Sequence, residues 1–222
     1  MSQDMDNSIG DIIGSGDEDE IEVTPKEVYD KLTEAWMNEK FAPELLESQI
    51  DLVECMLAQV KELENSFTGK EKDMASSLQK VELERVKFVI TSYLRERLKK
   101  IENNVIHVLA EEAKSETSKL SPEELVFARS FADNMQKHFN TLALKQMPSN
   151  MQTLDRKKNI PMPNMDAYVL IKVNETQENV KLDPEDEPSD LVEGTQHILR
   201  YQPIAPFVKQ SSLGKKTAVS LI

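Results

Sequence analysis

Three histidines and one cysteine are the residues of this 222-residue chain best suited to metal or nucleophilic chemistry. His107, His138 and His197 lie far apart and match no zinc-ligand spacing. Cys55 has no second Cys or His near it in sequence, so it reads as a packing residue. "SLGKKT" (Ser212–Thr217) contains Gly-Lys. Yet Lys216 stands where a phosphate loop needs Ser or Thr, and Lys209 stands where it needs its first glycine. Neither a Gly-x-Ser-x-Gly elbow nor a Gly-x-Gly-x-x-Gly turn occurs. Carboxylates abound, with 40 Asp plus Glu. Among so many, a pair at catalytic separation carries no information without geometry. No catalytic, metal or cofactor site is expected.

The one concentration of positive charge is "LRERLKK" (Leu94–Lys100), with Arg95, Arg97, Lys99 and Lys100. One reading is favourable charge near the C-terminus of a helix. The other is a docking face for an acidic partner or for nucleic acid. Single-strand binders interleave such cations with aromatic residues, which this run lacks. The formal net charge of −13 also opposes general nucleic-acid binding, so at most weak direct DNA contact is expected.

These residues must be positioned by helices first and strands later. Met1–Val23 reads as a disordered acidic tail. It holds one apolar island, in which Ile9, Asp11, Ile12 and Ile13 form a candidate peptide for a partner's groove. Ser15, followed by acids, has the pattern of an acid-directed phosphorylation site. "TPKE" (Thr24–Glu27) is a capping box with Pro at the first helical position. Val28, Leu32, Ala35 and Trp36 then share one face. Pro43 ends that helix. Asn38 reads as its terminator, Phe41 as a plug in the turn, and the nearby polar residues as the solvated side of the corner. A core Trp36→Ala change would cost about 3–5 kcal/mol.

A second helix follows "SQID" (Ser48–Asp51), and a long third one runs from about Met74 to Asn103. In the third, Met74, Leu78, Val81 and Phe88 line one face. Leu83, Val86, Ile90, Leu94, Leu98 and Ile101 line a roughly opposite one. A helix apolar on two faces needs cover on two sides. Its length, roughly 45 Å, exceeds the roughly 35 Å diameter of a domain of about 120 residues. Another chain is the simplest cover. "SPEE" (Ser121–Glu124) starts a fourth helix with Leu125, Ala128, Phe131, Met135, Phe139 and Leu142 on its stripe.

Past a Pro-stiffened linker the period changes to that of strands. "DAYVLIKV", "ENVKL" and "TQHILRY" (ending at Tyr201) are strand candidates, and "PIAPFV" and "AVSLI" are further short pieces. The expected class is α+β: tail 1–23, helical A domain 24–147, linker 148–165 and a small β-rich B domain 166–222. A B domain of under about 60 residues is marginal alone and should lean on the helices or a partner. The lone cysteine suits a reducing compartment. The acidic start has no character of a presequence, and no apolar run reaches the roughly 20 residues of a membrane span. Physics alone thus gives a non-enzymatic subunit of an obligate complex.

Several blocks go further. "AWMNEKFAPELLE" (Ala35–Glu47), "VELERVKFVITSYLRERLKKIE" (Val81–Glu102), "LSPEELVFARSF" (Leu120–Phe131), "ALKQMP" (Ala143–Pro148) and "GTQHILRYQPIAPFV" (Gly194–Val208) closely resemble, in order, the GINS complex subunits of the Sld-five type. The resemblance implies a nuclear protein in a heterotetramer with three other GINS subunits. It implies an assembly that joins the minichromosome-maintenance hexamer and Cdc-forty-five as the replicative helicase, with the ATPase in the hexamer. It also implies that "IGDII" (Ile9–Ile13) is similar to a tail motif binding the replisome hub that tethers primase polymerase. Trp36, Phe41, Leu83, Val86, Ile90, Leu94, Leu98, Ile101, Phe131 and Tyr201 are the structural or subunit-interface candidates. The alternatives are a helical adaptor of an unrelated intracellular complex, or an enzyme whose site is assembled from scattered acids.

Overall fold

The computed structural model describes residues 24–66, 74–115, 118–148, 152, 160–182, 189–209 and 217–222. Four helices come first: α1 (Pro25–Phe41), α2 (Ile50–Ser66), α3 (Met74–Glu112) and α4 (Pro122–Leu142). A single 3-10 turn (Leu144–Gln146) closes α4. Strands β1 (Tyr168–Val173), β2 (Gln177–Val180), β3 (Ser189–Leu191) and β4 (Gln196–Arg200) follow, then α5 (Tyr201–Lys209) and β5 (Val219–Leu221). The α+β reading therefore holds: a helical bundle, then a small strand-rich unit.

Both helix starts expected from Pro-containing capping boxes are present. Thr24 and Glu27 cap α1 reciprocally, and Ser121 and Glu124 cap α4 in the same way. The third helix runs from Met74 to a kink where its apolar stripes foretold an end, and a second helical segment is joined to it there. It breaks regular geometry at Asn104 (φ −126°, ψ 29°) and then continues to Glu112. The basic run lies within the last three turns before this break, toward the C-terminal end of the regular helix.

The second helix buries Val53, Met56 and Val60. Cys55 is two residues beyond Val53, a rotation of about 200°, and is exposed rather than packed. Thus Cys55 is corrected from core to surface. The "PIAPFV" stretch is also corrected, since it is helical. Tyr201, Ile204, Ala205 and Val208 recur at helical spacing and are all buried, and this stripe outweighs the hydrogen bond lost at Pro206. Tyr201 begins that helix instead of ending a strand.

In the strand-rich unit, β1 is central in the order β4-β1-β5 with both neighbours antiparallel. A separate pair joins β2 to β3. Gly194, at φ +81°, makes the turn into β4. The inward residues Val169, Ile171 and Val173 of β1 pack against α5 and β5.

Three cores share the interior. One joins α1, α2 and the first half of α3 through Val28, Leu32, Val53, Met56, Val89, Ile90 and Tyr93. A second joins the later half of α3 to α4 through Ile101, Val105, Val108, Leu120 and Ala128. The third belongs to the strand-rich unit. The corner after α1 enters all of them: Trp36 packs on the first, Leu45 sits in the second, and Ala42 sits in the third.

Candidate subunit interface

The corner is built around a buried guanidinium. Arg97 is fully buried, and its five N–H donors are all used. Nε and Nη2 meet the two Glu124 oxygens at 2.7 and 2.9 Å. One Nη1 bond reaches Glu39 at 3.1 Å, and another reaches the Leu46 carbonyl at 2.9 Å. Nη2 also donates to the Lys119 carbonyl at 3.0 Å. Helices α1, α3 and α4 and two connecting segments therefore converge on one side chain. Burial alone would lower the guanidinium pKa. The Glu124 bond and the Glu39 charge outweigh it, and the net shift is upward.

Lys100 extends the cluster, donating to Glu39 at 2.7 Å and to the Glu44 carbonyl at 2.8 Å. Its burial lowers its pKa despite Glu39. Glu44 then carries the network into the strand-rich unit. It accepts the Tyr201 hydroxyl at 3.0 Å and pairs with Lys209 at 2.7 Å. Asn38 accepts the Leu221 N–H at 2.7 Å, and Thr217 donates to Glu34. The strand-rich unit thus docks on α1 of its own chain, through both buried apolar and satisfied polar contacts.

This arrangement corrects several readings of the sequence. Asn38 is not a terminator, because α1 continues to Phe41 and the Asn38 side chain is buried under β5. The polar residues of the corner are not solvated, because Asn38, Glu39 and Glu44 are buried. Phe41 does not plug the turn and is 40% exposed. Arg97 and Lys100 leave the surface, so only Arg95 and Lys99 of the basic run remain exposed. The physical reason is shared: each inward charge or amide has a specific partner, which removes the cost of burial.

Trp36 is half-buried. Its indole N–H donates to Ser92 Oγ at 3.0 Å, and its ring meets Phe88 edge-on at 6.1 Å. Of the other interface candidates, Leu83, Ile90, Ile101 and Tyr201 are buried within the chain. Val86, Leu94, Leu98 and Phe131 are partly buried. Val86 and Leu94 pack on the first core and Phe131 on the second. Ile9, Asp11, Ile12 and Ile13 lie outside the described residues, as does Ser15.

The opposite face of α3 is left exposed by the described residues. Met74, Leu78, Val81 and Phe88 are 78%, 59%, 67% and 62% exposed. Position by position the seam runs Met74, Leu78, Val81, Arg85, Phe88, Ser92, Arg95, Lys99. That alternation of four and three is the heptad spacing of a helix packed on a helix. The distal end of α4 adds exposed Phe139 and Leu142. Soluble monomers rarely expose a contiguous apolar stripe of this size without a binding role.

No group of three metal-ligating side chains forms among the described residues. One groove of about 290 Å³ lies between α1, the corner and α5, and its walls mix Lys31, Glu34, Glu47, Asp51 and Lys209. No helix of the described residues is long and apolar enough to cross a membrane.

A helical scaffold with its second unit docked at a buried corner, and with one helix seam open, is the architecture of an assembly subunit. Residues 56–143 match the family model described as the GINS complex protein helical bundle domain. Residues 163–212 match the model described as the DNA replication complex GINS protein SLD5 C-terminus. The mouse DNA replication complex GINS protein SLD5 is 44% identical over 207 residues, covering 89% of this chain and 93% of that protein. The human protein of the same name is 42% identical with the same coverage of both chains. The Arabidopsis thaliana protein is 33% identical over 77% of this chain and 83% of its own length. The chain belongs to the SLD5 family of GINS complex proteins.

Proposed function

We propose that the chain is a non-catalytic scaffold subunit of a heterotetrameric GINS complex, which acts with the minichromosome-maintenance hexamer and Cdc-forty-five in the replicative helicase. Membership of the family carries the reading. The open α3 seam supports it, since that seam has the length and spacing to take a helix of a sibling subunit. The domain plan proposed is a tail at 1–23, a helical domain at 24–147, a linker at 148–165 and a B domain at 166–222. The place of work is the nucleus, on chromatin during DNA synthesis. The tail island at Ile9–Ile13 is proposed to meet the hub that tethers primase polymerase.

The test is unwinding of a forked duplex by purified hexamer and Cdc-forty-five. Adding the complex that contains this chain should raise unwinding. The chain alone should show no nucleotide turnover and no stoichiometric metal. Turnover by the chain alone, or no effect on unwinding, sinks the proposal.

A further inference from the structure

The α3 seam changes character after Phe88. Its next members are Ser92, Arg95 and Lys99, one helical turn apart in succession. Helix α1 runs beside them in the same direction, since Trp36 meets Ser92 while Glu39 meets Arg97. Lys40, one turn beyond Trp36, therefore faces the same surface as Arg95 and Lys99. Its ammonium lies 5.4 Å from the Trp36 ring and 5.3 Å from the exposed Phe41 ring. Lys40, Arg95 and Lys99 are all exposed, and Glu96, 3.9 Å from Lys99, is the acid among them. The result is a cationic surface with aromatic rings beside its charges.

Residues 1–23 have the complementary chemistry. They hold Asp4, Asp6, Asp11, Asp17, Glu18, Asp19, Glu20 and Glu22, with no lysine or arginine, and the aliphatic trio Ile9, Ile12 and Ile13. They join α1 at Thr24, about 18 Å along the helix from Trp36 at 1.5 Å per residue. The chain from Ile13 to Thr24 spans up to roughly 36 Å, so the reach is sufficient.

We propose that this acidic tail docks on the Trp36–Lys40–Phe41–Arg95–Lys99 surface of its own chain. The carboxylates of Asp6, Asp11 and Asp17, which flank the isoleucines and have the reach, pair with the three cations, and the isoleucines cover Phe41 and the edge of Trp36. The docked tail withholds Ile9–Ile13 from other partners, so any partner of that island must displace it.

The experiment places photoreactive benzoylphenylalanine at Ile12 in the full-length chain co-expressed with its sibling subunits, mixed with complex carrying isotope-labelled chain to separate intramolecular from intermolecular products. The expected crosslinks fall within one molecule, on peptides containing Trp36–Phe41 or Ser92–Lys99. Their yield should drop about tenfold in K40E/R95E/K99E, as loss of three exposed ion pairs implies, and should fall with salt. A second variant, D6N/D11N/D17N, leaves the helices untouched and should lose the same crosslinks. Crosslinks to another copy, to a sibling subunit or to the strand-rich unit overturn the proposal. So does a yield indifferent to both variants.

Discussion

Replacing Arg97 by methionine keeps the length and most of the volume of the side chain while removing all five donors. Glu39 and Glu124 would then remain buried, and the Leu46 and Lys119 carbonyls would lose their partner. Adding charge-assisted bonds at about 1.5–3 kcal/mol each overshoots, because the carboxylates would rearrange or draw in water. Removal of one partner from a buried ion pair costs about 3–5 kcal/mol, and that is the magnitude expected here. At about 2–4 °C per kcal/mol for a chain of this size, the melting temperature should fall by roughly 6–20 °C. Thermal unfolding followed by circular dichroism reads it. A double variant, R97M/E124Q, removes the one charge left without a cation, since Glu39 keeps Lys100, and should recover part of the loss. A single variant within about 1 kcal/mol of wild type would refute the buried cluster as the weld of the corner. So would a double variant worse than the single one.

Trp36→Ala should cost about 2–3 kcal/mol in a urea titration, less than for a fully buried ring, because the indole is half-buried and loses one hydrogen bond and one edge-on ring contact. Asn38→Ala leaves the Leu221 N–H without its acceptor, so about 1–3 kcal/mol is lost and amide exchange in β5 should speed up before that in α3. Burial and the neighbouring Glu44 raise the Tyr201 hydroxyl pKa, and burial raises that of Tyr93. Above about pH 10 the unfolded chain sheds these protons while the folded chain keeps them. Stability should therefore fall at up to about 1.4 kcal/mol per pH unit for each group, and Tyr201→Phe should remove its share of the slope. The lowered Lys100 pKa acts in the opposite sense over a lower range, adding stability as pH rises toward its ordinary value and nothing to the slope beyond it, so the tyrosines alone set the slope above that value.

Much of this architecture was legible from residue pattern. The two capping boxes set helix starts, and two apolar stripes on α3 foretold one covered face and one uncovered face. What pattern reading missed were the inward polar residues, because a charge scores as surface by type. Position would have found them. Arg97 lies two turns after Ile90 and one turn before Ile101, in the middle of the buried stripe. Glu39 lies two turns after Leu32, the buried centre of α1. A charged residue in register with a core stripe signals a buried partner of opposite sign. Which partner it meets depended on contacts between residues far apart in sequence, such as Glu44 with Tyr201, and no local pattern encodes those. The helical nature of α5 was hidden by its two prolines, although its apolar spacing was helical throughout.

The central claim is that this chain works by assembly through the open face of α3. Co-expression with the three sibling subunits, followed by size-exclusion chromatography with light scattering, measures it for the wild type and for L78D/V81D. Both residues are exposed in the isolated chain, so the variant should keep the helical circular dichroism of the wild type. Wild type should elute as a four-chain complex, and the variant chain should elute alone. A wild-type chain that stays monomeric beside its siblings, or a variant that assembles as well as wild type, would contradict the account.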